Sequence, residues 1–307
     1  MATPRIGLAL GSGSARGWAH VGIIDALAEA GIEADIVCGT SIGSLVGATF
    51  VAGHLAELRR WAEKATWREI VAMLDIRLSG GGVIEGNEVI KWLTGLGVDK
   101  PIESYAKRYA AIATDLATGR EVWLEHGPIH EAVRASIALP GILSPVKIDG
   151  KWLVDGGLSN PVPVSVCRAL GADVIIAVNL NGDLLGRRFV NEPAAGATLP
   201  PQVPNEFLAG VLKQLPPGLG GQAAQIVQRL LPQRPSTPGY FQVLANSINI
   251  MQDYVTRARL AGEPPHVMLA PRLRDIGLME YNRAAEAIAE GRYCVEHAMP
   301  MLRHYCS

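Results

Sequence analysis

Ile36-Val37-Cys38-Gly39-Thr40-Ser41-Ile42-Gly43-Ser44-Leu45-Val46-Gly47-Ala48-Thr49-Phe50-Val51 decides the reading of this chain. Ile36 to Cys38 is an apolar run of buried-strand character. Leu45 to Val51 reads as a helix rich in small residues. Between them lies Gly39-Thr40-Ser41-Ile42-Gly43, a G-x-S-x-G pattern in strand–turn–helix context. That context is what a nucleophile elbow needs. Ser41 sits on a sharp turn, and Gly39 and Gly43 on either side let the turn close. The following helix start offers free N–H groups and the positive end of its dipole to a reacting centre. The five-residue pattern is weak by itself; its flanks make Ser41 a candidate nucleophile.

Two further stretches supply what a serine nucleophile lacks. Ile6-Gly7-Leu8-Ala9-Leu10 reads as a strand running into Gly11-Ser12-Gly13-Ser14-Ala15-Arg16-Gly17. A helix follows, with Val21, Ile24, Leu27 and Ala28 on one face and Gly31 as its stop. Downstream, Lys151-Trp152-Leu153-Val154 reads as a strand ending in Asp155-Gly156-Gly157. Nucleophile, backbone donors for an oxyanion and a carboxylate base are the parts of acyl transfer.

In these residues the chain resembles the patatin-like phospholipases, most closely their small bacterial branch. Four blocks carry the resemblance, in the family's order. They are Gly11 to Gly17, Gly39 to Gly43, Ala135-Ser136-Ile137-Ala138-Leu139-Pro140-Gly141, and Asp155-Gly156-Gly157 followed by Asn160-Pro161-Val162-Pro163. The resemblance implies a three-layer α/β/α sandwich with a mostly parallel central sheet. It implies a catalytic dyad of Ser41 as nucleophile and Asp155 as general base, without histidine. The oxyanion hole would come from the loop Gly11, Ser12, Gly13, Ser14, Arg16 and Gly17, with Gly39, Gly43, Gly156 and Gly157 shaping the turns. The implied reaction is hydrolysis of acyl esters, often of phospholipids or lysophospholipids. One departure stands out: the family's run of three glycines reads Ser12-Gly13-Ser14 here. Backbone donors survive that change, but a serine held at positive φ carries a conformational cost.

Composition bounds the alternatives. The chain has 307 residues, 49% of them hydrophobic and 19% charged, with formal net charge −1. Its mean hydropathy is +0.19. No run of eighteen apolar residues occurs, so no spanning helix is expected. Nor does the start show a basic region followed by an apolar stretch, so the expected location is cytoplasmic, with transient membrane-surface contact as lipid substrates require. The absence of a Lys/Arg cluster argues against nucleic acid. Cys38, Cys167, Cys294 and Cys306 match no zinc or redox spacing and read as reduced cysteines, Cys38 being a buried apolar residue. No cofactor and no metal are expected.

Residues 1 to about 180 alternate strand and helix, as an α/β domain should. Helical stretches are predicted between Leu55 and Leu96. Tyr109–Thr114 and Glu121–Leu124 read as a hairpin, Ile129–Leu139 and Val162–Leu170 as helices, and Asp173–Val178 as a buried strand. Residues 181–239 are rich in Pro and Gly. Amphipathic pieces at Phe207–Leu215 and Ile226–Leu231 mark them as a lid-like or flexible insertion in a single domain spanning 1–307. A helix over Tyr240–Leu260, a strand over His266–Ala270 and a helix over Tyr281–His304 with a break near Gly291 complete the chain.

Each candidate has a plainer reading. Asp155 could be a turn aspartate bonding nearby amides, and Arg16 a solvated first-turn side chain, although structure is favoured over chemistry for it. The glycine-rich loop could cradle a nucleotide phosphate, but its spacing misses G-x-G-x-x-G by one residue and no G-K-[ST] follows. Of seven histidines, His20 is closest to the loop and reads as a packing or hydrogen-bonding residue. His266 fits the Ser…Asp…His order of a triad. Function reads first as a serine acyl-ester hydrolase. The alternatives are an acyltransferase working through the same acyl-enzyme, a non-catalytic lipid-sensing regulator and, last, a nucleotide-binding protein.

Overall fold

The computed structural model describes residues 3–66, 69–70, 76–79, 82–183 and 240–306. Apart from 181–183, the predicted insertion at 181–239, with both amphipathic pieces, lies outside the described residues. The elements are, in order, β1 (Ile6–Leu10), α1 (Ala19–Glu29), β2 (Ile36–Thr40), α2 (Ile42–Val51), α3 (Leu55–Lys64), β3 (Ile76–Ser79), β4 (Gly82–Ile84), α4 (Asn87–Gly95), β5 (Arg108–Asp115), β6 (Glu121–Leu124), α5 (Ile129–Ser136), β7 (Val146–Ile148), β8 (Lys151–Asp155), α6 (Val164–Ala169), β9 (Val174–Val178), α7 (Tyr240–Gly262), β10 (Val267–Leu269) and α8 (Ala284–Cys306).

Among the described residues, hydrogen bonding joins eight strands in the order β10-β9-β1-β2-β5-β8-β7, with β6 also on β5. β10, β9, β1, β2 and β5 run parallel, and β6, β7 and β8 are antiparallel additions. Strand alternation divides the core between the two faces of the sheet. Leu8, Leu10, Val37 and Ile176 face a cluster built with α1, α2, α3, α5 and α8. Ala9, Ile36, Cys38, Ala110, Ile112 and Ile175 face a smaller one built with α6. The result is the three-layer α/β/α sandwich.

Register places two strand ends together. Ile112 pairs with both Thr40 of β2 and Trp123 of β6, and Ala113 with both Val122 of β6 and Asp155 of β8. A residue has one neighbour on each side, so β2 and β8 share one edge of β5 and meet end to end. The C-terminal ends of β2 and β8, reached at Thr40 and Asp155, therefore lie opposite consecutive residues of β5.

Three readings of the sequence need correction. Between α3 and α4 the chain forms the antiparallel pair β3–β4 rather than helix alone; the sequence there carries Gly80-Gly81-Gly82, a turn signal. The helix predicted to Leu139 ends at Ser136. The last helix begins at Ala284 and has no break at Gly291. Glycine weakens a helix, but here it is where α8 meets α1. A Cβ on Gly291 would lie 2.2 Å from the Ala19 carbonyl oxygen, and one on Gly22 would lie 2.0 Å from that of Ile288. Among the described residues no helix is long and apolar enough to cross a membrane.

Candidate active site

At the end of β2 the chain reverses on Ser41, whose φ of 56° and ψ of −125° are rarely adopted by L side chains. α2 starts at the next residue. Its first turn passes so close to β1 that a Cβ on Gly43 would fall 2.2 Å from the Leu10 carbonyl oxygen, and one on Gly39 would fall 2.4 Å from that of Gly43. Hydrogen bonds hold the strained residue. Its amide donates to Ser136 Oγ at 2.9 Å, and Ser136 Oγ in turn donates to the Ile112 carbonyl at 2.5 Å. Its carbonyl accepts from Ser44 Oγ at 2.6 Å and from the Ser44 amide at 2.8 Å.

Ser41 Oγ donates to Asp155 Oδ2 at 2.6 Å. The other carboxylate oxygen accepts from the Gly157 amide at 2.7 Å. The Asp155 backbone amide is tied to the Ala138 carbonyl at 2.9 Å. The block from Ala135 to Gly141 thus holds Ser41 through one residue and Asp155 through another. Asp155 is 1% exposed. Burial pushes its carboxyl up to about 6, against the pull of the hydrogen bonds from Ser41 and Gly157. Gly156 packs against β5, where a Cβ would lie 2.2 Å from the Ile112 carbonyl oxygen.

No histidine is hydrogen-bonded to Ser41 or Asp155 among the described residues. His20 Nε2 meets the Gly11 carbonyl at 2.8 Å and therefore carries the proton. Burial lowers its pKa to about 4, so the ring stays neutral near pH 7. His266 Nδ1 accepts from the Ile175 amide at 3.0 Å, at the start of β10.

The loop after β1 is fastened on several sides. Gly11 N donates to the Val178 carbonyl at 3.1 Å, Ser12 N to Pro161 at 2.9 Å, Ala15 N to Leu278 at 3.1 Å and Arg16 N to Gly13 at 3.2 Å. The amides of Gly13 and Ser14 have no acceptor among the described residues. The carbonyls one residue earlier are engaged, Ser12 O by Asn181 Nδ2 at 3.3 Å and Gly13 O by Arg16 N at 3.2 Å. A trans peptide points its N–H opposite its C=O, so these two N–H groups face away from those contacts. Ser14 has φ 52°, so of the two serines it is the one held in the left-handed region. Arg16 is fully buried, its Nε donating to the Ile276 carbonyl at 2.9 Å and its Nη1 to Asn181 Oδ1 at 3.0 Å. It is a structural member of the loop rather than a solvated side chain. Gly17 lies against α2, where a Cβ would fall 2.1 Å from Ile42 Cγ1.

Ser41 and Ser14 lie in the wall of a cavity otherwise lined mainly by apolar side chains, among them Trp18, Trp61, Trp92, Ile42 and Leu139, with Tyr281 completing the polar end. Its cavity volume is about 160 Å³. Sequence reading assigned no part to Ser136, although it lies in a quoted block, nor to Asn181, Gln252 and Tyr281. The last three reach the loop from far along the chain and carry no local pattern. Among the described residues no group of three metal-ligating side chains occurs.

Residues 8–168, which hold Ser41, Asp155 and the loop, match the family model for patatin-like phospholipase. An uncharacterized NTE family protein of Mycobacterium tuberculosis is 32% identical over 97% of this chain and 92% of its own length. Patatin-like phospholipase domain-containing protein 7 of Rattus norvegicus is 37% identical over 57% of this chain, which corresponds to 13% of that protein. The lysophospholipase nte1 of Aspergillus fumigatus is 35% identical over 57% of this chain and 12% of its own length. A family match over half the chain and a relative aligned from end to end agree with the four interlocked blocks around Ser41: the chain belongs to the patatin-like phospholipase family.

Proposed function

We propose that this protein is a serine acyl-ester hydrolase acting on lipid esters of the phospholipid or lysophospholipid class, with Ser41 as nucleophile and Asp155 as general base. The observation that carries the reading is the 2.6 Å hydrogen bond to a buried carboxylate from Ser41 Oγ, whose residue lines a largely apolar cavity. The lysophospholipase name of a relative agrees with it.

In the proposed cycle, Oγ attacks the ester carbonyl as its proton passes to Asp155 Oδ2. A carboxyl raised to about 6 is a stronger base than a solvated aspartate and is still ionised at neutral pH. The Gly157 amide keeps the carboxylate oriented. Negative charge on the tetrahedral oxygen is taken up by the unpaired amides of Gly13 and Ser14. Collapse expels the alcohol, which receives the proton from Asp155. Water then repeats the sequence on the acyl-enzyme. His20, neutral and committed to Gly11, takes no part in proton transfer.

A fluorophosphonate should label the wild-type protein once, on Ser41, and leave Ser41→Ala unlabelled in intact-mass analysis. Ser41→Ala should also lose release of fatty acid from lysophosphatidylcholine. Labelling at another residue, or a folded wild type that neither labels nor turns over, would overturn the reading.

A further inference from the structure

The two serines that stand where the family has glycines are each bonded to an element beyond residue 168, the end of the family match. Ser12 Oγ donates to Gln252 Oε1 on α7 at 2.9 Å. Ser14 Oγ shares a hydrogen bond of 2.7 Å with the hydroxyl of Tyr281, in the one-turn helix before α8. These are the residues on either side of Gly13. Four further bonds tie the same region together. Asn181 Nδ2 donates to Gln252 Oε1 at 3.2 Å as well as to the Ser12 carbonyl, and Trp18 Nε1 donates to the Tyr281 carbonyl at 3.1 Å. Ala15 N is held by the Leu278 carbonyl at 3.1 Å.

Gln252 and Tyr281 are well placed for such a role. Gln252 belongs to the inward face of α7, where Asn249, Gln252, Asp253 and Thr256 are buried while Val243, Met251 and Tyr254 are exposed. Ile248 is buried there too, but polar side chains predominate among the buried ones, which puts polar groups where the loop needs partners. Gln252 also touches the base-bearing turn, since a Cβ on Gly157 would lie 2.3 Å from its Nε2. Tyr281 lines the cavity beside Ser14 and Ser41, and its raised pKa, due first to burial, keeps the phenol protonated. Its ring packs edge-on against Trp18 with centroids 6.3 Å apart.

We propose that Tyr281 and Gln252 are positioning residues that clamp Ser14 and Ser12, and so fix the direction in which the Gly13 and Ser14 amides point. The inference rests on the assignment of those amides to the oxyanion. A serine at φ 52° is held in a sparsely populated backbone state, and without its hydroxyl partner it can relax toward a more populated one. Losing the brace therefore lets the donors drift without removing them. The last third of the chain then completes the site that the family region begins.

The test is a double-mutant cycle on the full chain, read with a soluble p-nitrophenyl ester. Tyr281→Phe keeps the ring against Trp18 and removes only the hydroxyl; Ser14→Ala removes the other half of the bond. Each should lower kcat about tenfold at little change in KM, less than the ~10²–10³ of a deleted oxyanion donor. The double variant should fall no further, because one bond is lost once. Gln252→Met, a near-isosteric change, should also lower kcat at unchanged KM. Wild-type kcat in both Tyr281→Phe and Gln252→Met would overturn the proposal. So would losses that multiply in the double variant, since Tyr281 would then act other than through Ser14. Labelling and turnover of the wild type separate the two levels: if the wild type reacts and the variants match it, the clamp alone fails. If the wild type does not react at Ser41, both fail.

Discussion

The Ser41 amide donates to Ser136 Oγ at 2.9 Å, across 95 residues of sequence. Ser136 passes the bond on to the Ile112 carbonyl of β5, so the strained elbow is anchored to the strand beside it. Replacing Ser136 with Ala leaves the Ser41 N–H without its partner at a part-buried position. The expected cost is about 1–3 kcal/mol of unfolding free energy, measured by urea denaturation. Because the backbone of the proposed nucleophile is released, kcat should fall by about 10- to 100-fold with KM little changed. Wild-type kinetics in a destabilised variant would mean that the bond serves folding only.

In the proposed mechanism Asp155, as the base, sets the pH dependence. Its carboxyl, raised to about 6 by burial, accepts the Ser41 proton only when ionised. kcat/KM should therefore drop about tenfold per pH unit below about 6 and level off above it. A plateau extending to pH 4.5 would remove Asp155 from the role of base. Stability runs the other way. The folded pKa lies above the usual ~3.9 of an unfolded aspartate, so the folded state binds the extra proton between about 4 and 6. The associated stability is present below that window and is lost as pH rises through it. Asp155→Asn should thus melt higher than wild type at pH 7.5 and converge with it near pH 4. Asn can keep the Gly157 amide on its oxygen and turn its NH₂ to Ser41 Oγ.

Much of this site was legible because each proposed reacting group follows a strand: the loop after β1, Ser41 after β2, Asp155 at the end of β8. Apolar runs ending in glycine-rich turns leave a local trace, and the four blocks carry that trace in the sequence itself. Ser14 was foreseen as a serine that would strain if held at positive φ, and its φ is 52°. Its partner was not foreseen, because a hydrogen bond to Tyr281 spans 267 residues and has no periodicity to betray it. The same holds for Gln252, whose burial on a helix with apolar residues outside inverts the pattern used to find core faces. Gly291 was misjudged for a related reason. Propensity treats a helical glycine as a weakness, whereas the contact with Ala19 that requires it is tertiary.

That contact is testable on stability alone. Gly22→Ala and Gly291→Ala each drive a methyl into the backbone of the facing helix, 2.0 Å from the Ile288 oxygen and 2.2 Å from the Ala19 oxygen. Backbone does not swing aside as a side chain does, so α1 and α8 must separate. Each substitution should cost about 1–3 kcal/mol or more. Gly95→Ala is the contrast: it lies in α4, meets nothing within 4 Å, and should gain up to about 1 kcal/mol of helix propensity. Equal effects at all three positions would show that the glycines matter for something other than helix contact.

The cavity gives the last expectation, and a direction along which to test it. Tyr281 stacks edge-on with Trp18 at 6.3 Å, Trp18 lies 6.0 Å from Trp61, and Trp61 lies 4.6 Å from Trp92. These rings form one wall leading from Ser14 and Ser41 toward α4. An acyl chain whose carbonyl sits at Ser41 would run along them, and Trp92 would limit its length. Each methylene buried contributes ~0.8 kcal/mol, so kcat/KM should climb about fourfold per added methylene until the chain reaches Trp92, then level or fall. Trp92→Ala should move that break to longer chains in a series of p-nitrophenyl esters while leaving the rate on the butyrate ester close to wild type. The short ester serves as the check on folding, since a collapsed site would lose it too. A uniform loss at every length would mean that Trp92 supports the fold only, and an unshifted break with full activity would place the end of the acyl chain elsewhere.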